Sequence, residues 1–194
     1  LVLLLDHPDP SRLLCFDKRT GKTVWEVKRD KRVSWTTPTV IDEGLFISSN
    51  GILEEFDPET GKRRWFVDEL TGNTVASPTV LDNHVYIGSS AKGHSIAVRL
   101  GGKGNVTGSH VIWKAADATS SFGSPLVYRN WVYYVSKAGI LSCVDRSNGK
   151  TLWDRRLSDS TWASSVAADG KLYFFCKDGN TLVLKADGSQ TVVV

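Results

Sequence analysis

A nine-residue motif that returns along the chain constrains the fold more than any other feature. Residues 17–25, 57–65 and 145–153 all read D-x-x-[T/N]-G-K-x-x-W, and a degenerate copy runs from Ala97 through a glycine-rich insertion to Trp113. The four tryptophans that close these copies are separated by 40, 48 and 40 residues. Self-similarity at a fixed period of this length is typical of solenoids, propellers and repeat arrays.

A second marker follows the same period. A Ser/Thr-Pro step begins at Thr37, Ser77 and Ser124, and a form without proline begins at Ser164. These positions are separated by 40, 47 and 40 residues, so the long interval coincides with the long interval between the tryptophans. Because two markers stay in register, a chance repeat is excluded.

Short apolar runs alternate with turn residues inside each repeat. Asn-Gly and Asp-Gly pairs such as 50–51, 169–170 and 178–179 are strong hairpin signals, because these residues accept a positive φ. Four antiparallel strands per repeat form one propeller blade, which buries its faces only by stacking on its neighbours. An immunoglobulin-like sandwich is the competing all-β fold, but it does not repeat such a motif. We therefore predict an all-β β-propeller of four-stranded antiparallel blades.

The repeat also predicts where the blades lie within a single, partial propeller domain that covers residues 1–194. The first blade holds only three strands, and four full blades follow; the boundaries are 1–28, 36–67, 76–114, 122–155 and 162–194. An arc of this kind leaves bare strand edges and apolar faces at both ends. We expect the remaining blades of the same propeller, or other copies in an oligomer, to cover them. A start at Leu1 without any Met predicts that the natural start lies upstream.

The motif residues are predicted to hold neighbouring blades together. The turn glycine supplies a left-handed backbone, the aspartate accepts hydrogen bonds from turn amides, and the tryptophan covers the seam to the next blade. These blade-docking residues are Asp17, Gly21, Trp25, Asp57, Gly61, Trp65, Trp113, Asp145, Gly149 and Trp153.

The pattern A-x-D-x-x-T-G-x-x-x-W followed by S-P-x-V resembles the tryptophan-docking repeat of the propellers related to pyrroloquinoline-quinone (PQQ) enzymes. That superfamily includes quinoprotein alcohol dehydrogenases and the propeller lipoprotein of the outer-membrane β-barrel assembly machinery. Residues 99–114 and 124–127 are similar to uncharacterised PQQ-like repeat proteins of planctomycete-type bacteria. The resemblance implies a ring of about seven or eight blades. It also implies a non-catalytic scaffold for a protein or ligand, in the periplasm or another extracytoplasmic compartment.

The sequence departs from the quinoprotein dehydrogenases at their active site. Those enzymes carry a vicinal disulfide, a catalytic Asp and a Glu/Asn calcium site, whereas Cys15, Cys143 and Cys176 are far apart and are interpreted as buried free thiols rather than a disulfide. We expect no catalytic, cofactor-binding or metal-binding residue here, and no PQQ. The alternative is a fragment of a PQQ- or quinone-dependent oxidoreductase whose catalytic residues lie outside this segment. A receptor's sensor ectodomain is a third possibility.

Other common kinds of site lack their signatures in the sequence. The four histidines have no metal-ligand spacing, and the glycine-rich residues 101–104 are interpreted as an extended blade loop rather than a phosphate loop. A net charge of +3 without a basic block argues against nucleic-acid binding. No apolar run approaches the roughly 18 residues of a membrane span.

Three tryptophans lie outside the docking motif. Trp35 and Trp162 both precede the Ser/Thr-Pro position, where Phe122 and Val75 stand in the other repeats. Because this position recurs around the mouth of a propeller's central channel, Trp35, Phe122 and Trp162 form a candidate aromatic funnel for a ligand or partner. Packing between blades near the axis is the alternative. Trp131 is predicted to lie in an exposed turn, where it would be a further contact point.

Overall fold

The computed structural model describes residues 1–7, 10–30, 32–42 and 44–193, and its regular structure is almost entirely antiparallel β-sheet. Five sheets follow one another along the chain, and, apart from one short inserted strand, each is a meander in which neighbours in sequence are neighbours in the sheet. The periodic turn residues explain this order, because each short apolar run returns on the one before it. The all-β propeller fold predicted from the repeat is confirmed.

The strands of the first three sheets are as follows. The first sheet contains β1 (Val2–Leu5), β2 (Ser11–Phe16) and β3 (Thr23–Arg29). The second contains β4 (Thr39–Ile41), β5 (Gly44–Ser49), β6 (Ile52–Phe56) and β7 (Arg63–Val67). The third contains β8 (Thr79–Leu81), β9 (His84–Ile87), β10 (Ser95–Arg99) and β12 (Val111–Ala115). An insertion between β10 and β12 contains β11 (Gly104–Asn105) and the helix α1 (Thr107–His110).

The last two sheets complete the described part of the chain. The fourth contains β13 (Leu126–Tyr128), β14 (Trp131–Val135), β15 (Ile140–Asp145) and β16 (Thr151–Arg156). The fifth contains β17 (Val166–Ala168), β18 (Lys171–Phe175) and β19 (Thr181–Lys185). We number the blades one to five in the same order.

The first strands of blades two to five line up side by side. Strand β4 contacts β8, β8 contacts β13, and β13 contacts β17. The hydrophobic core lies between blades: Phe46 and Leu53 of blade two share a cluster with Ile87 and Ile96 of blade three. This is the burial expected of a repeat protein whose blades stack only on their neighbours.

The fifth blade differs from its prediction. A full fourth strand was expected before residue 194, but the fifth sheet has three strands, and Val192 joins it by a single bridge to Leu184. The Val193 amide also donates to the Val183 carbonyl over 2.8 Å. Val192 and Val193 thus pair with β19 without forming a full strand; Val194 lies outside the described residues.

The insertion in blade three adds a strand that the sequence did not predict. Residues 101–104 were expected to be an extended loop, yet β11 pairs in parallel with β7, with Gly104 opposite Trp65. The Val106 amide then donates to the Phe66 carbonyl over 2.9 Å. The insertion therefore returns to the preceding blade and covers its outer edge, a common way to protect an exposed strand.

Candidate functional site

Three motif tryptophans contact the next blade through their indole nitrogen. Each donates to the carbonyl of the residue that follows the turn aspartate of that blade: Trp25 to Pro58 (3.0 Å), Trp113 to Arg146 (2.9 Å) and Trp153 to Gly188 (2.7 Å). The last acceptor follows Asp187, which stands at the aspartate position of a degenerate fifth copy of the motif. Sequence reasoning missed this copy, although its Asp-Gly pair was the available signal.

The turn glycines lie directly beneath these rings. Gly61 and Gly149 have φ values of 70° and 78°, and both lie in the left-handed region that favours glycine. A Cβ atom at Gly61 would lie 2.8 Å from the Trp25 ring, and one at Gly149 would lie 2.7 Å from the Trp113 ring. The glycine is therefore needed twice, for the turn and for the close approach of the tryptophan.

The turn aspartates bind amides of their own turns. Asp17 Oδ1 accepts hydrogen bonds from the Arg19 and Thr20 amides over 3.0 and 2.7 Å, and the Thr20 bonds hold the pKa of Asp17 below its usual value. At Asp57, a hydrogen bond from the Arg64 guanidinium, assisted by the Thr60 amide, lowers the pKa to about 2. These carboxylates therefore stay ionised and fix the turns that receive the tryptophans.

Trp65 has a different environment from the other motif tryptophans. Only 1% of its surface is exposed, yet its indole nitrogen has no hydrogen-bond partner among the described residues. The next blade carries the degenerate motif copy, so the turn that would offer a carbonyl is missing. Val106 from the insertion lies in the same buried cluster as Trp65 and replaces that turn as an apolar cover.

The Ser/Thr-Pro marker forms a row of hydrogen bonds between blades. Each backbone amide at this position donates to the serine hydroxyl at the same position of the next blade: Thr37 to Ser77 (2.8 Å), Ser77 to Ser124 (3.2 Å) and Ser124 to Ser164 (3.0 Å). The segments that enter the first strands are therefore fixed to one another. They bring the candidate funnel residues, which precede the marker, to the same end of blades two, four and five.

Trp35, Phe122 and Trp162, which we call the aromatic face, are open to solvent to different degrees. Trp35 is 70% exposed and Trp162 is 65% exposed, while Phe122 is half-buried. The rings of Phe122 and Trp162 lie 5.6 Å apart, but Trp35 makes no ring contact within the described part of the chain. The structure thus brings two of the three together, and it leaves Trp35 separate and exposed.

Trp131 is not in the exposed position that the sequence suggested. It is half-buried at the start of β14 and belongs to the buried cluster between blades four and five. A Cβ atom at Gly188 would lie 2.3 Å from its ring. Trp131 therefore packs on the turn that also accepts the Trp153 hydrogen bond, which is why it is not available as a contact point.

A buried cluster of charges between blades one and two was not predicted. Arg29 forms ion pairs with Asp6 and Glu54, both over 2.5 Å, and Arg63 forms an ion pair with Glu54 over 2.8 Å. The side chains of Asp6 and Arg29 are only 0% and 3% exposed. One signal in the sequence was available: Glu54 and Glu55 are adjacent in a predicted strand, and acids that become buried there need charged or hydrogen-bonding partners.

This charge cluster lies beside a cavity of about 250 Å³ whose lining includes Lys28, Arg29, Arg32, Glu54 and Arg63. The two carboxylates and two guanidiniums of the cluster balance in charge and bond one another. Such an arrangement fixes the junction between the two blades.

Neither a metal centre nor a membrane helix is found in the described ranges. No three His, Cys, Asp or Glu side chains lie close enough together there to hold a metal ion. Cys15, Cys143 and Cys176 are free thiols. No described helix has the length and hydropathy needed to cross a membrane.

Comparison with known structures places the fold among propellers. The crystal structure of BamB from Moraxella catarrhalis matches the whole chain with a TM-score of 0.73 and 20% identity, and 59% of that protein is covered. The computationally designed Ika8 protein matches 95% of the chain with a TM-score of 0.67 and 16% identity, and 58% of it is covered. At these identities the likeness shows the fold alone.

A europium-containing methanol dehydrogenase also matches the whole chain, with a TM-score of 0.67 and 12% identity, and 48% of that enzyme is covered. The chain therefore spans 59% or less of the natural proteins it is compared with here. A search of curated proteins gave no match. The similarity to planctomycete-type proteins stays a prediction.

A family model described as "Outer membrane protein assembly factor BamB" matches residues 4–192, which is nearly the whole chain. The match agrees with the repeat in the sequence and with the propeller blades of the structure. The chain therefore belongs to this family and is a PQQ-like β-propeller repeat protein.

Proposed function

We propose that this chain is part of a non-catalytic propeller scaffold that binds a protein partner through the aromatic face. The observation that carries the proposal is the exposure of Trp35 and Trp162, at 70% and 65%. Tryptophan is highly buried on average, so two such side chains at equivalent positions of one surface need an explanation. Exposed aromatic side chains are also the residues most enriched at the centre of protein interfaces.

The other tryptophans provide a contrast that supports this reading. Trp25, Trp113 and Trp153 each donate a hydrogen bond to the next blade, and Trp131 packs on Gly188. We propose that these residues, with the turn glycines and aspartates, dock the blades. Trp35 and Trp162 contribute little to packing, so their large apolar surfaces are free for a partner.

We further propose that the scaffold works without PQQ and outside the cytoplasm. The family description names an outer membrane protein assembly factor, which supports an extracytoplasmic setting and a protein partner. Leu3 and Leu5 of the first blade and Phe175 of the last are exposed. These apolar surfaces support the proposal that further blades of the same ring, or another copy, cover the two ends of the arc.

Site-specific photo-crosslinking tests the scaffold proposal. The photoreactive residue benzoylphenylalanine replaces Trp35 or Trp162 in the full-length protein, in the organism that encodes it, and crosslinked products are identified by mass spectrometry. We expect the same discrete protein at both positions, because both side chains face the partner. Val24 and Leu152, which are exposed on the outer strands β3 and β16, provide matched control positions.

The proposal fails if positions 35 and 162 give no crosslinked protein in illuminated cells, or if positions 24 and 152 capture the same protein equally well. The first outcome would mean that the aromatic face has no partner. The second would mean that contact is not confined to this face.

A further inference from the structure

The surroundings of the aromatic face indicate the chemistry of its partner. Phe122 and Trp162 lie at neighbouring blades, and their ring centroids are 5.6 Å apart with a tilt of 46°. A Cβ atom at Gly123 would lie 2.8 Å from the Ala163 carbonyl oxygen, so the two segments that carry these rings touch through their backbones. The pair is therefore one continuous apolar surface rather than two isolated side chains.

A lysine of blade five lies directly over this surface. The ammonium of Lys177 is 4.9 Å from the centroid of the Trp162 ring, a distance at which the cation is attracted by the aromatic face. Its backbone amide donates to the Ser160 carbonyl over 2.9 Å, so the turn between β18 and β19 is attached to the segment that carries Trp162. The positive charge is therefore held beside the indole.

Blade four has two further cations at the turn that is hydrogen-bonded to the segment carrying Phe122. The Lys137 amide donates to the Ser121 hydroxyl over 3.1 Å, and Lys137 itself is exposed. The Arg156 guanidinium donates to the Ala138 carbonyl over 3.0 Å, next to Lys137 in sequence. Lys137 and Lys177 occupy corresponding turns, one blade apart.

These three cations have no acidic partner. Within the described ranges, neither lysine nor Arg156 forms an ion pair. The nearby acids have other partners: Asp154 accepts from the Ser142 hydroxyl over 2.6 Å. Asp159 accepts from the Ser160 amide over 2.6 Å, and Asp178 accepts from Asn180.

The corresponding turn of blade three provides a contrast. There the Lys92 ammonium donates to the Asp117 carboxylate in an ion pair over 2.8 Å, and this hydrogen bond raises the pKa of Lys92. Among these three corresponding turns, the lysines without an ion pair are thus those of blades four and five, where the two aromatic rings meet.

We propose that this surface takes a short acidic segment of the partner protein, with an apolar side chain on the Phe122–Trp162 pair and carboxylates on Lys137, Lys177 and Arg156. The inference rests on the proposed scaffold function and names the chemistry of its partner. Hydrogen bonds between cations and carboxylates are stronger than neutral ones, and charge complementarity mainly gives specificity. The bound peptide would supply carboxylates to these cations, because Asp159 and Asp178 already accept hydrogen bonds within their own segments.

Fluorescence anisotropy with synthetic peptides tests this proposal on the full-length protein. The probe is a fluorescein-labelled peptide that alternates Glu and Leu, and a second peptide has Gln in place of every Glu. We expect the acidic peptide to bind at least about tenfold more tightly than the Gln peptide, with a difference that shrinks as salt is added. The double variant K137Q/K177Q should lose most of this preference.

Two control variants separate the parts of the site. Lys92→Gln removes the paired lysine of blade three and should leave binding of the acidic peptide unchanged. Trp162→Ala should weaken both peptides, because it removes the apolar part of the surface. Circular dichroism of each variant checks that the fold is intact.

Three results would overturn the proposal: equal affinity for the two peptides, an unchanged preference in K137Q/K177Q, or equally tight binding of a single-stranded oligonucleotide of matched charge. The last result would identify a general polyanion surface. If crosslinking at positions 35 and 162 captures a partner while the acidic peptide binds no more tightly than the Gln peptide, the scaffold proposal is supported and only the acidic-segment proposal is rejected. If the crosslinking also fails, both proposals are rejected.

Discussion

Replacement of Trp113 by alanine is expected to lower the free energy of unfolding by about 3–5 kcal/mol, as for other buried aromatic side chains. Trp113 is 6% exposed, and its ring lies against the Gly149 turn of the next blade and 6.1 Å from the ring of Tyr86. The change opens a cavity between blades three and four and leaves the Arg146 carbonyl without its donor. Urea denaturation of the full-length protein, followed by circular dichroism, measures the loss.

The same strand offers a matched control for this change. Ile112 precedes Trp113 in β12 but is exposed, so Ile112→Ala should change stability by less than about 0.5 kcal/mol. If Trp113→Ala does not fold, Trp113→Phe keeps one aromatic ring but loses the hydrogen bond and part of the packing, and it should cost about 1–3 kcal/mol. Equal stability of Trp113→Ala and Ile112→Ala would contradict the docking role of Trp113.

Removal of the Asp6 carboxylate is expected to have a similarly large effect. Asp6→Ala should cost about 3–5 kcal/mol, because breaking a buried ion pair leaves an uncompensated charge. Arg29 would keep only Glu54, and the hydroxyls of Ser34 and Ser49, which both donate to Asp6, would lose their acceptor. The loss is measured by urea denaturation at neutral pH.

Asp30 provides the control for charge alone. It lies near the cluster in sequence, is 90% exposed and approaches Arg32 only to 3.7 Å. Asp30→Ala should therefore change stability by less than about 1 kcal/mol, as for other exposed ion pairs. If Asp6→Ala were no more destabilising than Asp30→Ala, the cluster would not stabilise the junction of blades one and two.

The propeller fold was predictable from the sequence because its determinants are local and periodic. The turn glycines, the tryptophans that follow them and the Ser/Thr-Pro steps each repeat at the spacing of one blade. A feature that recurs in this way is expected to have a similar structural role in each blade. The serine hydroxyls at the second marker accept hydrogen bonds from backbone amides of the preceding blade. The marker therefore links neighbouring blades, which the sequence pattern alone did not show.

The features that were missed depend on contacts between residues that are distant in sequence. Arg29 meets Asp6 and Glu54 across two blades, and no spacing in the sequence links the three. The strand β11 could not be predicted because Gly104 and Asn105 have no strand pattern and pair with an edge that only the folded blade presents. Trp131 was misjudged because its cover, Gly188, comes from a degenerate turn in the next blade.

The position of the aromatic face was predictable, but its exposure was not. The repeat aligned Trp35, Phe122 and Trp162 at one position of the blade, and that alignment favoured packing between blades near the axis over an open funnel. The structure leaves Trp35 and Trp162 open while it buries the motif tryptophans Trp65 and Trp113. Exposure depends on how far each connecting segment stands from the channel, which a one-dimensional pattern does not contain.

Hydroxyl-radical footprinting of the tryptophans tests the central claim most directly. The full-length protein is oxidised alone and with the partner identified by crosslinking, and mass spectrometry measures the rate at each tryptophan. We predict that Trp35 and Trp162 react fastest in the free protein and lose most of their reactivity when the partner binds, while Trp65 and Trp113 stay protected throughout. Protection of Trp35 and Trp162 in the free protein, or unchanged oxidation of both at saturating partner, would contradict the account.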